Sequence, residues 1–164
     1  MAVRDEVLEA NRSYAESFDK GELPVPPGRR LAVVTCMDAR LDPAKFLGLD
    51  LGDAHVIRNA GGVVSDDALR SLIISHWLLG TEEALIIAHT GCGMLTFTND
   101  DIRAKLEQET GADASAVDFQ PFADLEESVR ASVSRVRESP FLSGARASGW
   151  VYDVGTGRLR EVPT

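Results

Sequence analysis

What this sequence lacks narrows it first. Two cysteines in 164 residues are too few for a disulfide framework. A chain of this length buries roughly 70% of the surface its unfolded form exposes, so one core can hold it without covalent staples. No apolar run approaches the roughly 20 residues of a bilayer-crossing helix, which argues against a membrane partner. The opening stretch MAVRDEVLEANRSYAESF mixes charges and has neither a continuous apolar segment with a small-residue cleavage site nor the Arg-rich, acid-poor bias of a transit peptide. A cytoplasmic location is expected. Basic excess is missing too: 17 Lys and Arg against 26 Asp and Glu give a formal net charge of -9. The basic residues are scattered apart from the pair Arg29 and Arg30, so nothing supports nucleic-acid binding, and a small molecule is the expected ligand. Repeats, low-complexity segments and an inter-domain linker are also absent. Residues 1–164 therefore read as one domain, with an arm and linker over 1–28 and a core over 29–164.

What is present has a clear rhythm. Residues 4 to 19 read as an amphipathic helix with Val7, Asn11, Tyr14 and Phe18 near one stripe, and GELPVPPGRR breaks it with three prolines and two glycines. Such an arm packs either on its own domain or on a neighbouring subunit. From Leu31 the apolar runs LAVVT, HVIRN and ALIIA alternate with helical patterns, DPAKFLG and SDDALRSLIISHWLLG. In the longer of these, Ser65 is a natural N-cap, Asp66 and Asp67 suit the positive helix end, and Gly80 is a natural stop. Thr98 or Asn99 can cap DDIRAKLEQETG. A further helix carries Phe122, Leu125, Val129, Val133 and Val136 and ends before Pro140, and GWVYDVGTGRLREV has the alternation of a hairpin. Strands that are apolar on both faces belong in a parallel sheet covered on both sides. The expected fold class is α/β: a mostly parallel sheet flanked by helices, with an antiparallel C-terminal hairpin as edge strand and an N-terminal helical arm.

In sheets of this kind ligands sit beyond the carboxyl ends of the strands. Cys36, Asp38 and Arg40 leave one such end, and His89 and Cys92 leave another. Zinc favours cysteine sulfur and histidine nitrogen; a structural site closes four positions with protein, whereas a catalytic one supplies three. Here the soft and nitrogen donors in reach are Cys36, His89 and Cys92, because His55 and His76 sit inside a strand and a helix. Asp38, two residues beyond Cys36, leaves the same side of an extended backbone and can bind metal or attend the water that does. Other readings stand beside this one. The cysteines can be small apolar residues packed under loops, a redox pair, or a nucleophile working with His89. Asp38 and Arg40 can be a surface pair worth at most about 1 kcal/mol, and Arg58 reads as an anchor for the turn that follows it.

The segments CMDAR, HVIRNAGG and HTGCGM, in that order and at those separations, resemble the β-class carbonic anhydrases, the compact bacterial members more than the plant enzymes. The likeness runs from about Leu31 and includes the closing VYDVGTGRL. It implies a mostly parallel sheet with flanking helices and an active homodimer or multiple of dimers. It implies that Cys36, His89 and Cys92 bind zinc and that Asp38 and Arg40 form the catalytic dyad. The turn at Asn59, Ala60 and Gly61 and the backbone around Gly93 would shape the floor of the substrate site. The implied reaction is reversible hydration of carbon dioxide to bicarbonate and a proton, with hydroxide on the zinc as nucleophile. Asp38, held ionised by Arg40, would orient that hydroxide, or swing onto the metal as a fourth ligand in a closed state. The substrate slot should be narrow and apolar. Two rivals remain: hydrolysis of carbon disulfide or carbonyl sulfide on the same scaffold, and a non-enzymatic zinc-binding regulatory protein whose aspartate closes the site permanently.

Overall fold

The most apolar runs take the middle of the sheet. In the computed structural model, which describes residues 2–164, LAVVTC forms β1 (Leu31–Cys36) and EALIIAH forms β3 (Glu83–His89). These two lie side by side. β2 (Ala54–Asn59) borders β1, β4 (Arg146–Tyr152) borders β3, and β5 (Leu159–Val162) closes the far edge, in the order β2-β1-β3-β4-β5. The first four strands are parallel and β5 runs antiparallel to β4. As an edge, β2 is less covered than the HVIRN run suggests, and Val56 is exposed on it.

Caps set the helix limits much as expected. α2 (Pro43–Leu47) starts at Asp42, whose side chain accepts from the Lys45 N–H. α3 (Asp66–Leu79) starts at Ser65, whose Oγ accepts from the Ala68 N–H, and ends at Gly80 in the left-handed region. α4 (Asn99–Thr110) is capped by Thr98, with Asp101 completing a reciprocal capping box. α5 (Leu125–Arg137) starts at Asp124, whose side chain accepts from Glu127, so Phe122 is not its first apolar residue. Phe122 instead donates its backbone N–H to the Met94 carbonyl and packs near the carboxyl ends of β1 and β3. The N-terminal helix, α1 (Val3–Glu16), is shorter at its end than the stripe to Phe18 suggests. Among the described residues it buries none of its own side chains, and Val3, Val7, Tyr14 and Phe18 are exposed.

Two apolar clusters follow from this layout. The larger joins the sheet to α3 and α5 and includes Val34, Leu72, Ile86, Val129 and Val133. Each such side chain contributes about 1.5–3 kcal/mol when fully buried. The smaller sits at the strand ends around Cys36, Leu41, Cys92 and Met94. Between α5 and β4 the approach is so close that a Cβ placed on Gly149 would lie 2.4 Å from a Val129 methyl and 3.2 Å from a Val133 methyl. Gly149→Ala is therefore expected to cost about 1–3 kcal/mol through overpacking. Urea unfolding checks it: the midpoint should fall while the slope stays constant, and an unchanged midpoint would show that α5 yields freely.

Candidate functional site

Two chain segments build the site, one from each central strand. β1 ends at Cys36, and the chain continues as a loop through Met37, Asp38 and Arg40. Arg58 on neighbouring β2 holds that loop, its Nε donating to the Cys36 carbonyl at 3.0 Å and its Nη2 to the Asp38 carbonyl at 2.7 Å. Arg58, read from sequence as an anchor for the turn that follows it, directs both bonds to the cysteine loop instead. β3 ends at His89. Gly91 then adopts φ +63°, open to glycine at little cost, and turns the chain so that Cys92 comes back beside His89.

The ligating atoms of Cys36, His89 and Cys92 lie within 4.8 Å of one another, and all three residues are buried. His89 is 0% exposed. Its Nδ1 lies 3.0 Å from the Thr90 carbonyl, an oxygen that can only accept, so Nδ1 carries a proton and, in the neutral ring, the lone pair is on Nε2. Among the described residues, Nε2 is the one buried side-chain nitrogen or oxygen with no hydrogen-bond partner. An orphaned imidazole nitrogen facing two buried sulfurs is costly as an apolar packing arrangement and well suited to a metal ion. The donor set fits zinc on that ground.

Asp38 and Arg40 stand over this cluster. Arg40 grips the carboxylate with two parallel bonds, Nε to Oδ1 at 2.9 Å and Nη2 to Oδ2 at 2.7 Å, and its backbone N–H adds a third to Oδ1 at 2.9 Å. The same Nη2 donates to the Gly91 carbonyl at 3.0 Å, so Arg40 joins the two donor-bearing loops. Asp38 Oδ2 is 3.6 Å from His89 Nε2, close for a charge and too long for a hydrogen bond.

These contacts set the charge states. Hydrogen bonds from the Arg40 side chain and backbone hold the Asp38 carboxyl well below its ordinary value of 3.8. Burial pushes the Cys36 thiol up, but His89 and the backbone N–H groups of Asp38 and Gly61 outweigh it and bring the group below 9.0. Burial pushes Cys92 above 9.0, with the charge of Cys36 adding to the shift. One thiolate is supported and the second is resisted, a resistance that a cation between the sulfurs would remove.

The residues expected on the floor have the following surroundings. Asn59 spends its side chain on the turn, donating to the Val63 carbonyl at 2.8 Å and accepting from the Val63 N–H at 3.0 Å. Ala60 packs against the strand-end cluster. Gly61 has φ +87°, and a Cβ there would sit 2.9 Å from the Phe122 ring. Its neighbour Gly62, at φ +65°, admits no side chain, because a Cβ would lie 2.7 Å from the Cys36 nitrogen. Gly93 opens a short 3-10 turn and has free space beside it. His55 and His76 lie apart from the cluster as expected, paired with the Ser75 hydroxyl and the Thr81 carbonyl. Sequence reasoning missed Thr90, Tyr152 and the Gly91 carbonyl, which act through backbone groups or by stacking. Tyr152 stacks on Phe46 at a centroid distance of 4.4 Å.

Comparison with known proteins agrees with this geometry. The pattern of the carbonic anhydrase family matches residues 31–159. Over 163 residues the chain is 48% identical to beta-carbonic anhydrase 1 of Mycobacterium tuberculosis, covering 99% of each. It is 36% identical over 160 residues to a carbon disulfide hydrolase of Acidithiobacillus thiooxidans, covering 85% of this chain and 80% of that one. The crystal structure of a carbonic anhydrase from Streptococcus mutans superposes with a TM-score of 0.95 at 47% identity, covering 99% of both chains.

The Arg40 grip has a measurable sign. A carboxyl whose folded value is depressed contributes stability that is full above its unfolded value and lost as pH falls through the folded one. In metal-free protein, carboxyl carbon resonances should show Asp38 titrating well below 3.8, and Arg40→Ala should raise that midpoint. A wild-type midpoint at the ordinary value would contradict the grip.

Proposed function

The chain belongs to the β-class carbonic anhydrase family, and from there we propose that it hydrates carbon dioxide reversibly to bicarbonate and a proton with zinc as its cofactor. One observation carries the reading: two sulfurs and an unpartnered imidazole nitrogen converge within 4.8 Å beside a carboxylate that an arginine keeps ionised. Cys36, His89 and Cys92 would hold the metal, three protein donors being the set of a catalytic site. Bound there, zinc supplies Lewis acidity that brings the pKa of a coordinated water from 15.7 toward about 7. Two thiolates donate more charge than imidazoles do, so the chain's own groups must help the nucleophile.

Asp38 is the group placed for that. Ionised on Arg40, it can only accept, so it would take a hydrogen bond from the O–H of the nucleophile and orient that oxygen toward the carbon of the substrate. Arg40 keeps the carboxylate charged and, through the Gly91 carbonyl, in register with the His89 and Cys92 segment. A closed state would arise if Asp38 left Arg40 for the metal and took the place of water. The bidentate Asp38–Arg40 pair supports the open form and weighs against a permanently closed regulatory protein. Asn59, Ala60, Gly61 and Gly93 serve the substrate through backbone shape. The apolar side chains of Leu95, Phe97 and Phe122, packed against the donor cluster, suit a small nonpolar gas.

The proposed assembly is a homodimer or a multiple of it, because the exposed stripe of α1 is then covered by a second copy. No helix among the described residues is long and apolar enough to cross a membrane, and two free buried cysteines suit a reducing compartment, which supports a cytoplasmic location. Likeness to a carbon disulfide hydrolase keeps that chemistry as the second reading, at lower identity and coverage than the mycobacterial and streptococcal carbonic anhydrases.

Metal analysis paired with stopped-flow hydration tests the function. Wild type should carry one zinc per chain, and Cys92→Ser should lose most of it. Asp38→Asn and Arg40→Ala should keep the zinc and lose roughly 10- to 100-fold in hydration rate; full activity in either would refute the dyad. Carbon disulfide and carbonyl sulfide assayed in parallel decide the second reading, which wins if their turnover exceeds that of carbon dioxide. For the assembly, Tyr14→Asp combined with Phe18→Asp should shift a dimer toward monomer in light scattering, and an unaltered mass would remove α1 from the interface.

A further inference from the structure

We propose that Thr90 is a positioning residue for the His89 imidazole: the end of β4 clamps it so that its carbonyl selects the tautomer able to bind metal. The inference rests on the zinc reading above and adds a residue to it. His89 and Tyr152 are the last paired residues of β3 and β4. One step further, the Thr90 N–H donates to the Tyr152 carbonyl at 3.0 Å, and the Val154 N–H donates to the Thr90 hydroxyl at 3.1 Å. Thr90 is thereby held at its backbone and its side chain from the same neighbouring segment. That leaves its carbonyl directed at the ring edge, where it accepts from His89 Nδ1 at 3.0 Å.

The consequence is chemical. A neutral imidazole carries one proton, and the two tautomers differ little in intrinsic energy, so the hydrogen bond at one nitrogen decides the state of the other. With Nδ1 donating to Thr90, the lone pair sits on Nε2, the buried atom facing both sulfurs. If the carbonyl drifts, the proton can move to Nε2 and the ring presents a donor where a ligand is required. Thr90→Val preserves the branched shape but removes the acceptor for the Val154 N–H; Thr90→Ser keeps it.

Two measurements on purified full-length protein test this. Zinc affinity by chelator competition should weaken about 10- to 100-fold in Thr90→Val and stay near wild type in Thr90→Ser. Ring nitrogen resonances of the metal-free protein, followed up in pH until they stop moving, should show the Nδ1–H tautomer alone in wild type and a mixture in Thr90→Val. Equal affinity and an unchanged tautomer in the valine variant would overturn the proposal, whatever its melting temperature does, as would serine behaving like valine. If the valine variant does not fold, wild type still decides, because a predominant Nε2–H form there overturns the clamp. Wild type that takes up no zinc would sink the zinc reading instead, and the tautomer would still judge this one.

Discussion

Parallel pairing of β1 with β3 is the constraint from which the site follows. Neighbouring strands lie about 4.7–4.9 Å apart, and a parallel register brings their carboxyl ends out at the same edge. Leu31 faces Glu83 and Thr35 faces Ile87, so Cys36 and His89 finish one register step apart at the same edge. The buried Thr35 hydroxyl adds a bond to the Ile87 carbonyl at 2.8 Å at that end of the pair. A turn at Gly91 then needs to return only one more sulfur. Burial on both faces of these two strands makes the register stiff, because a slip of one residue would swap inward and outward side chains along the whole strand.

Around the donors, rigidity comes from groups that never touch them directly or do so only through backbone. Arg58 holds two carbonyls of the cysteine loop, Asn59 closes the turn below it, and Gly62 lets that turn pass against the Cys36 backbone. Arg40 spans both loops. A donor set that is partly unsatisfied and electrostatically unbalanced would otherwise relax apart, since a buried orphan nitrogen costs on the order of 1–3 kcal/mol. The fold holds it in place for a cation to relieve.

Much of this was legible in residue order, and the reasons differ by element. The helix starts at Ser65 and Thr98 were readable because capping is local chemistry: a side-chain oxygen and an N–H two or three residues on. The start of α5 was read too early because Phe122 continues the apolar spacing; Asp124 breaks it by capping, and Met94 captures the Phe122 N–H from a distant part of the chain. α1 looked amphipathic and is, yet among the described residues it buries none of its side chains, since a pattern states that a face is apolar and never what lies against it. The site residues with distinctive chemistry stood out, whereas Thr90 did not, because a threonine bonded through its backbone and hydroxyl carries no motif.

Residue order by itself determined the α/β class, the order of strands and helices and the identity of the candidate donors, because apolar periodicity, caps and soft ligands are properties of short segments. Only the tertiary structure decided that Cys36, His89 and Cys92 share one buried volume, that Asp38 rests on Arg40, and which imidazole nitrogen is free. Those depend on strand register and on contacts between residues some fifty positions apart in the chain, such as Arg40 with Gly91, and such distances close only when the sheet assembles.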